Sequence, residues 1–157
     1  MGTCAGCRSK DWKSIIESSS SALAPYIERT RLIPYPKGTD IWLKLENEQV
    51  TGSFKARGGG NKILSLTQAE RDKGLVTAST GNHGCGTCNM AQKFKAPVEV
   101  YVPNGSSEAK MEKMKGLGAT IIVHGDGHEN EIQARKMAKE QGKIFISPYN
   151  DTDVVIG

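Results

Sequence analysis

From Leu75 onward the sequence settles into an alternation that few folds accommodate. Short apolar runs, "LVTAS", "VEVYVP", "ATIIVHG" and "KIFIS", are separated by longer stretches, "GNHGCGTCNMAQKF", "SSEAKMEKMKGLG" and "HENEIQARKMAKEQG". Runs rich in β-branched residues read as strands, and the intervening stretches are long enough to be crossover helices. Met111, Met114 and Leu117 fall on one helical face, and Ile132, Met137 and Ala138 are expected to turn toward a core from another. Strands alternating with helices through short loops form right-handed βαβ units. The expectation is an α/β fold, a parallel sheet with flanking helices.

The earlier half is less regular. "DIWLKLE" (Asp40–Glu46) alternates apolar and other residues, a strand signal. From Ser53 to about Leu66 the pattern turns helical, with Ile63, Leu64 and Leu66 near its end. Gly58, Gly59 and Gly60 lie inside that helix, each costing about 1 kcal/mol relative to Ala. A helix that accepts this cost serves close approach of another backbone or of a ligand. "ESSSS" (Glu17–Ser21) reads as a loop or a helix start.

Composition narrows the class. With 157 residues, 37% apolar and 24% charged, the chain reads as globular rather than disordered. Its 21 basic and 17 acidic residues are interspersed, so no nucleic-acid-binding stripe is expected. No apolar run approaches a membrane span, and the N-terminus lacks the apolar core of a signal peptide. The expected setting is the cytosol. Two Cys-x-x-Cys pairs, Cys4/Cys7 and Cys85/Cys88, suit a split zinc site or a redox pair. The second pair opens a helix after a strand, as in thioredoxin-like proteins, which makes a small redox protein a rival reading. His124, Asp126 and His128 have metal-like spacing, but a strand end before a polar helix favours a solvated loop, and no metal is expected.

Two motifs carry chemistry. In "KLENEQVTGSFKARGG", Lys55 stands between Phe54 and Ala56 rather than among other charges. An amine against apolar surface loses hydration, which favours the neutral, nucleophilic form. "TASTGNHG" (Thr77–Gly84) lies at the carboxyl end of the first strand of the series, the edge where open α/β sheets bind ligands. Free N–H groups at a helix start there, with Ser79, Thr80, Asn82 and His83, make a cradle for a carboxylate or phosphate. The stretch has neither Walker-loop nor dinucleotide-fingerprint spacing.

Together with "SPYNDTDVVIG", these two elements resemble the fold-type II pyridoxal-phosphate (PLP) enzymes, and within them the serine/threonine dehydratase and serine racemase branch. The resemblance runs from about Ile33 to Gly157. It implies PLP as cofactor, Lys55 as its Schiff-base lysine, Phe54 lying against it and Asn82 bonded to its ring hydroxyl. Ser79, Thr80, Gly81, Asn82 and His83 would hold the substrate carboxylate. Lys55 would take the Cα proton, and L-serine or L-threonine would lose its β-hydroxyl, giving a 2-oxo acid and ammonia. A racemase would instead reprotonate Cα from the other face through a serine hydroxyl, and Thr80 fills that position. A family-like homo-oligomer is also implied.

Val50 stands where proline is usual, Gly59 where alanine is common, and Cys85 where the family has a polar or small residue. The family continues beyond "DVVIG" with a glycine-rich phosphate loop and the rest of its larger domain. The resemblance therefore divides the chain into a tail (1–18), a first segment of the larger domain (19–70), a small open α/β domain (71–149) and a return to the larger one (150–157). A chain truncated in this way is expected to have impaired cofactor affinity and activity. A non-catalytic paralogue that pairs through exposed apolar surface is the other reading.

Overall fold

The computed structural model describes residues 11–36 and 38–157, so Cys4 and Cys7 lie outside the described residues. Four parallel strands form the centre: β3 (Leu75–Ala78), β4 (Val98–Val102), β5 (Thr120–Val123) and β6 (Ile144–Phe145), in the order β5-β4-β3-β6. Ahead of them come helix α1 (Trp12–Leu23), an antiparallel pair β1 (Leu32–Pro34) and β2 (Trp42–Lys44), and helices α2 (Lys55–Ser65) and α3 (Gln68–Asp72). The crossovers are α4 (Asn82–Lys93), α5 (Glu108–Gly116) and α6 (Gly127–Glu140), and a short α7 (Thr152–Ile156) ends the chain.

The strands are apolar because both faces of the sheet are covered. Leu75, Val98, Val100 and Val102 pack with Met90, Ala91 and Met114 of α4 and α5, and Ile63 of α2 joins the same core. Val76 and Tyr101 pack on the other face against Ala134 and Ala138 of α6. That helix must cross β4 and β3 to carry the chain from β5 to β6, on the face opposite α4 and α5. Met137 joins this core as expected, whereas Ile132 is 54% exposed. The helical phase is set by Ala134 and Ala138, one turn apart, and turns Ile132 outward.

Two further expectations change. Glu17–Ser21 lie inside α1 rather than in a loop or at a helix start, because Asp11 caps the helix and Leu23 is buried in the core. Ser19 Oγ donates to Asn61 Oδ1 at 2.7 Å, so one serine ties α1 to α2. The strand expected over Asp40–Glu46 shortens to Trp42–Lys44, since Glu46–Glu48 forms a 3-10 turn.

The three glycines of α2 meet other parts of the chain. A Cβ on Gly58 would lie 2.5 Å from Val154 O of α7, and one on Gly59 3.1 Å from Thr87 N of α4. From the opposite side, a Cβ on Gly86 of α4 would lie 2.7 Å from Lys55 O. Glycines on both helices thus let α2 and α4 touch backbone to backbone. α7 is clamped to the same helix: Lys62 Nζ is 2.9 Å from Asp153 Oδ2 and 3.4 Å from Asp151 Oδ2, and Asn61 Nδ2 donates to Asp153 O at 2.7 Å.

Candidate active site

Lys55 is the first residue of α2, half-buried, with its Nζ 5.1 Å from the centre of the Phe54 ring. The turn before it is built to start a helix at this point. Gly52 adopts φ +79°, a conformation that suits glycine, and its N–H donates to Gln49 O at 2.6 Å. Ser53 Oγ then accepts the Lys55 N–H at 3.2 Å. The lysine opens onto a cleft of about 320 Å³ that it shares with Phe54, Gly58, Pro148, Tyr149 and Val154.

The second motif forms the turn between β3 and α4. Ser79 Oγ accepts the N–H groups of Gly81 and Gly84 at 3.3 and 3.0 Å, folding the turn back on itself. Gly81 caps α4 without a side chain, so the N–H groups of Asn82 and His83 stand at a helix start with no intrahelical acceptor. Asn82 and Thr80 are exposed, whereas His83 is buried. Its Nε2 faces Ile146 O at 3.4 Å. A carbonyl partner puts the ring proton on Nε2, and Nδ1 is then a buried acceptor without a donor. Burial holds the imidazole neutral, down at about 4, and the Lys55 charge adds to that depression against the Ile146 carbonyl and Asp151.

The structure brings the two motifs together. The Lys55–Ala56 peptide rests on Gly86, one turn into the helix that begins at Asn82, and the field of Lys55 reaches His83. Tyr149 was not singled out from the sequence, yet it lines both the lysine cleft and a second cleft formed with Ser79 and Thr80. An exposed aromatic beside a Pro is an ordinary loop signal, so only topology reveals its position. A larger cleft of about 510 Å³ lies beyond Phe54. Three of its charged side chains are engaged: Arg57 Nη2 and Nε donate to Glu46 at 2.7 and 2.9 Å, and Lys44 Nζ donates to Thr30 O at 2.6 Å.

The redox reading loses its footing. Cys85 and Cys88 are free and buried, and burial, reinforced by Cys85, pushes the Cys88 thiol up to about 12. A redox thiol needs the opposite shift. Asp126 caps α6, its carboxylate accepting the His128 and Glu129 N–H groups at 2.8 and 2.9 Å. Among the described residues no group of three or more His, Cys, Asp or Glu side chains could hold a metal ion, and no helix is long and apolar enough to cross a membrane.

An amine and an aromatic wall on one cleft, with a helix-start anion cradle on a second cleft that shares Tyr149, suit an aldehyde-bearing aromatic cofactor and an amino acid. In agreement, residues 23–157 match the family described as pyridoxal-phosphate dependent enzyme. The chain belongs to this family. A catabolic L-threonine dehydratase of Staphylococcus aureus (strain USA300) is 37% identical over 150 residues, 90% of this chain and 43% of that protein. The processed form of threonine deaminase isoform 2 from Solanum lycopersicum superposes with a TM-score of 0.88 at 25% identity, over 99% of this chain and 47% of that one. Maize serine racemase superposes with a TM-score of 0.85 at 28% identity, over 91% of this chain and 45% of that one. The fold is that of the fold-type II PLP enzymes, and the chain spans less than half the length of these relatives.

Proposed function

We propose that this PLP-family chain carries the lysine and the substrate-binding turn of an L-serine/L-threonine ammonia-lyase, which converts a hydroxy amino acid into a 2-oxo acid and ammonia. One observation supports this most: the Lys55 peptide lies on Gly86, so the lysine and the Ser79–His83 turn form one unit. PLP, when bound, supplies the electron sink for charge developing at Cα. Lys55 Nζ would hold the cofactor, and its free amine would accept the Cα proton as general base. Phe54 offers the ring a face, and the Asn82 side chain offers a donor to the cofactor's ring hydroxyl. The substrate carboxylate is taken by the Asn82 and His83 N–H groups and the Ser79 and Thr80 hydroxyls, at the positive end of α4. Neutral His83 takes part through its backbone N–H, its ring nitrogen Nε2 being engaged with Ile146 O.

The exposed Thr80 hydroxyl and the likeness to maize serine racemase favour racemisation as the second reading. A cytosolic setting is also proposed, in keeping with the free thiols of Cys85 and Cys88. The test is an absorption spectrum of the purified chain with PLP, beside a Lys55→Ala control of matching circular dichroism. The expected result is a visible band that requires Lys55 and shifts on adding L-serine. A band of equal strength in the control, or none in either protein, overturns the assignment.

A further inference from the structure

Asn130 sits in the first turn of α6, 2% exposed. Its Nδ2 donates to Tyr101 O at 3.0 Å, while Oδ1 is buried and has no donor. Because the partner is a carbonyl, the amide cannot be turned over, and the unpaired atom is the oxygen. An unmatched buried acceptor is rare in folded proteins. Asn130 is also part of the wall of a small cleft of about 170 Å³, together with Ser79, Thr80, Glu131 and Tyr149. One Nδ2 hydrogen is taken by Tyr101 O, and Oδ1 is the one acceptor this side chain can offer a ligand in the cleft.

The place of the cleft indicates what fills it. Ser79 and Thr80 belong to the carboxylate turn, and Tyr149 is shared with the lysine cleft. A small amino acid with its carboxylate on that turn and its Cα toward Lys55 has this cleft within reach of its side chain. The Glu131 carboxylate is already bonded to Arg135 at 2.7 and 2.9 Å, which removes most of its pull on a cation. The remaining acceptor is neutral and suits a neutral donor.

We infer that this cleft is the subsite for the substrate's side-chain hydroxyl, with Asn130 Oδ1 as its acceptor and Tyr149 as its wall. Asn130 is thereby a specificity-determining residue. The inference rests on the carboxylate reading given above and deepens it. It separates hydroxy amino acids from alanine, which lacks the side-chain oxygen and leaves Oδ1 unpaired, and from 2,3-diaminopropionate, which brings an ammonium.

The two substitutions Asn130→Leu and Asn130→Ala test it. Tyr101 O keeps the Ser79 N–H at 3.1 Å in either variant, so no backbone acceptor is stranded. Isotope-labelled full-length chain is titrated with L-serine, L-alanine and 2,3-diaminopropionate, following the amide resonances of residues 79–83. The wild type is expected to prefer L-serine to L-alanine by about tenfold, the worth of one hydrogen bond to a buried group. In both variants the ratio is expected to fall to near one, with the thermal midpoint of Asn130→Leu unchanged or raised. Retention of the preference in the variants overturns the inference and leaves Oδ1 to a structural water. A large loss of thermal stability in both variants overturns it too, making the amide a tie between α6 and β4. An Asn130-dependent preference for 2,3-diaminopropionate replaces the hydroxyl with an ammonium. L-alanine moving the 79–83 resonances as strongly as L-serine in the wild type ends the inference but keeps the carboxylate reading. Silence of those resonances toward all three amino acids removes both.

Discussion

His83 shows how burial and one neighbour set the behaviour of a single side chain. In the fold it titrates near 4, below its ordinary 6.5. Between those values the unfolded chain binds a proton that the native chain refuses, so stability is complete above the ordinary value and falls as pH drops toward 4. The loss is roughly 3 kcal/mol. Denaturant titrations from neutral to mildly acidic buffer are expected to show it in the wild type and not in His83→Asn. Because the Lys55 charge helps depress His83, Lys55→Met is expected to raise the imidazole's titration midpoint, read from its ring-proton resonances. An unmoved midpoint would contradict the proximity on which the active-site assignment depends. Glu46 titrates in a lower window. The hydrogen bond from Arg57 holds its carboxyl at about 2 against an ordinary 4.5, with burial opposing and Thr30 assisting. Its contribution, on the order of 2 kcal/mol, is present above the ordinary value and disappears only as the medium approaches pH 2. Arg57→Met is expected to cost a similar amount at neutral pH by leaving the half-buried carboxylate unpaired.

At the scale of elements, the contact of α2 with α4 holds the lysine against the turn, and glycines make that contact possible. Gly86→Ala would set a methyl 2.7 to 2.9 Å from the Lys55–Ala56 peptide, which has no side-chain freedom with which to yield. The expected cost is about 3 kcal/mol in denaturant unfolding, with loss of the Lys55-dependent PLP band. Gly60→Ala meets only the ends of Leu23 and Met90, at 2.9 and 3.1 Å, and is expected to cost about 1 kcal/mol or less. Equal costs would mean that α4 shifts freely against α2. The glycine run was legible in the sequence as a place of close approach, and the strand–helix alternation fixed the order of elements from Leu75 on. What approaches the glycines was not legible, since Val154 and Thr87 are distant along the chain. Helix α1 escaped because serine is a middling helix former, and its tie to Asn61 has no local signature. Ile132 misled for a related reason: one apolar residue cannot fix helical phase, whereas Ala134 and Ala138 are small and easily discounted. Asn130, in a polar helix start, gave no signal at all, because its unpaired oxygen exists only once β4 lies beside it.

Over the whole molecule, stability is divided between a sheet buried on both faces and a hairpin that has almost no core. Leu75, Val76, Val100 and Val102 are sealed from water between helices on either side. In β1 and β2, by contrast, Leu32 and Trp42 are each 58% exposed, and a two-stranded pair with so little burial is marginal by itself. Polar ties hold it to the rest: Arg31 pairs with Glu48, and the Leu45 N–H donates to Arg31 O at 2.9 Å. The carboxyl-terminal helix is also held by charge, through Lys62, whose ammonium is stabilised by Asp153 and Asp151 although burial works against it. Hydrogen exchange should therefore separate three levels. Amides of β3 and β4 are expected to exchange only through global unfolding, and those of β1 and β2 through local opening at free energies near zero. The α7 amides are expected to lie between, losing protection in Lys62→Met while β3 and β4 keep theirs. Equal protection of the hairpin and the sheet would mean that the hairpin has found cover, and self-association measured by sedimentation at the same concentration would then identify a second copy of the chain as that cover.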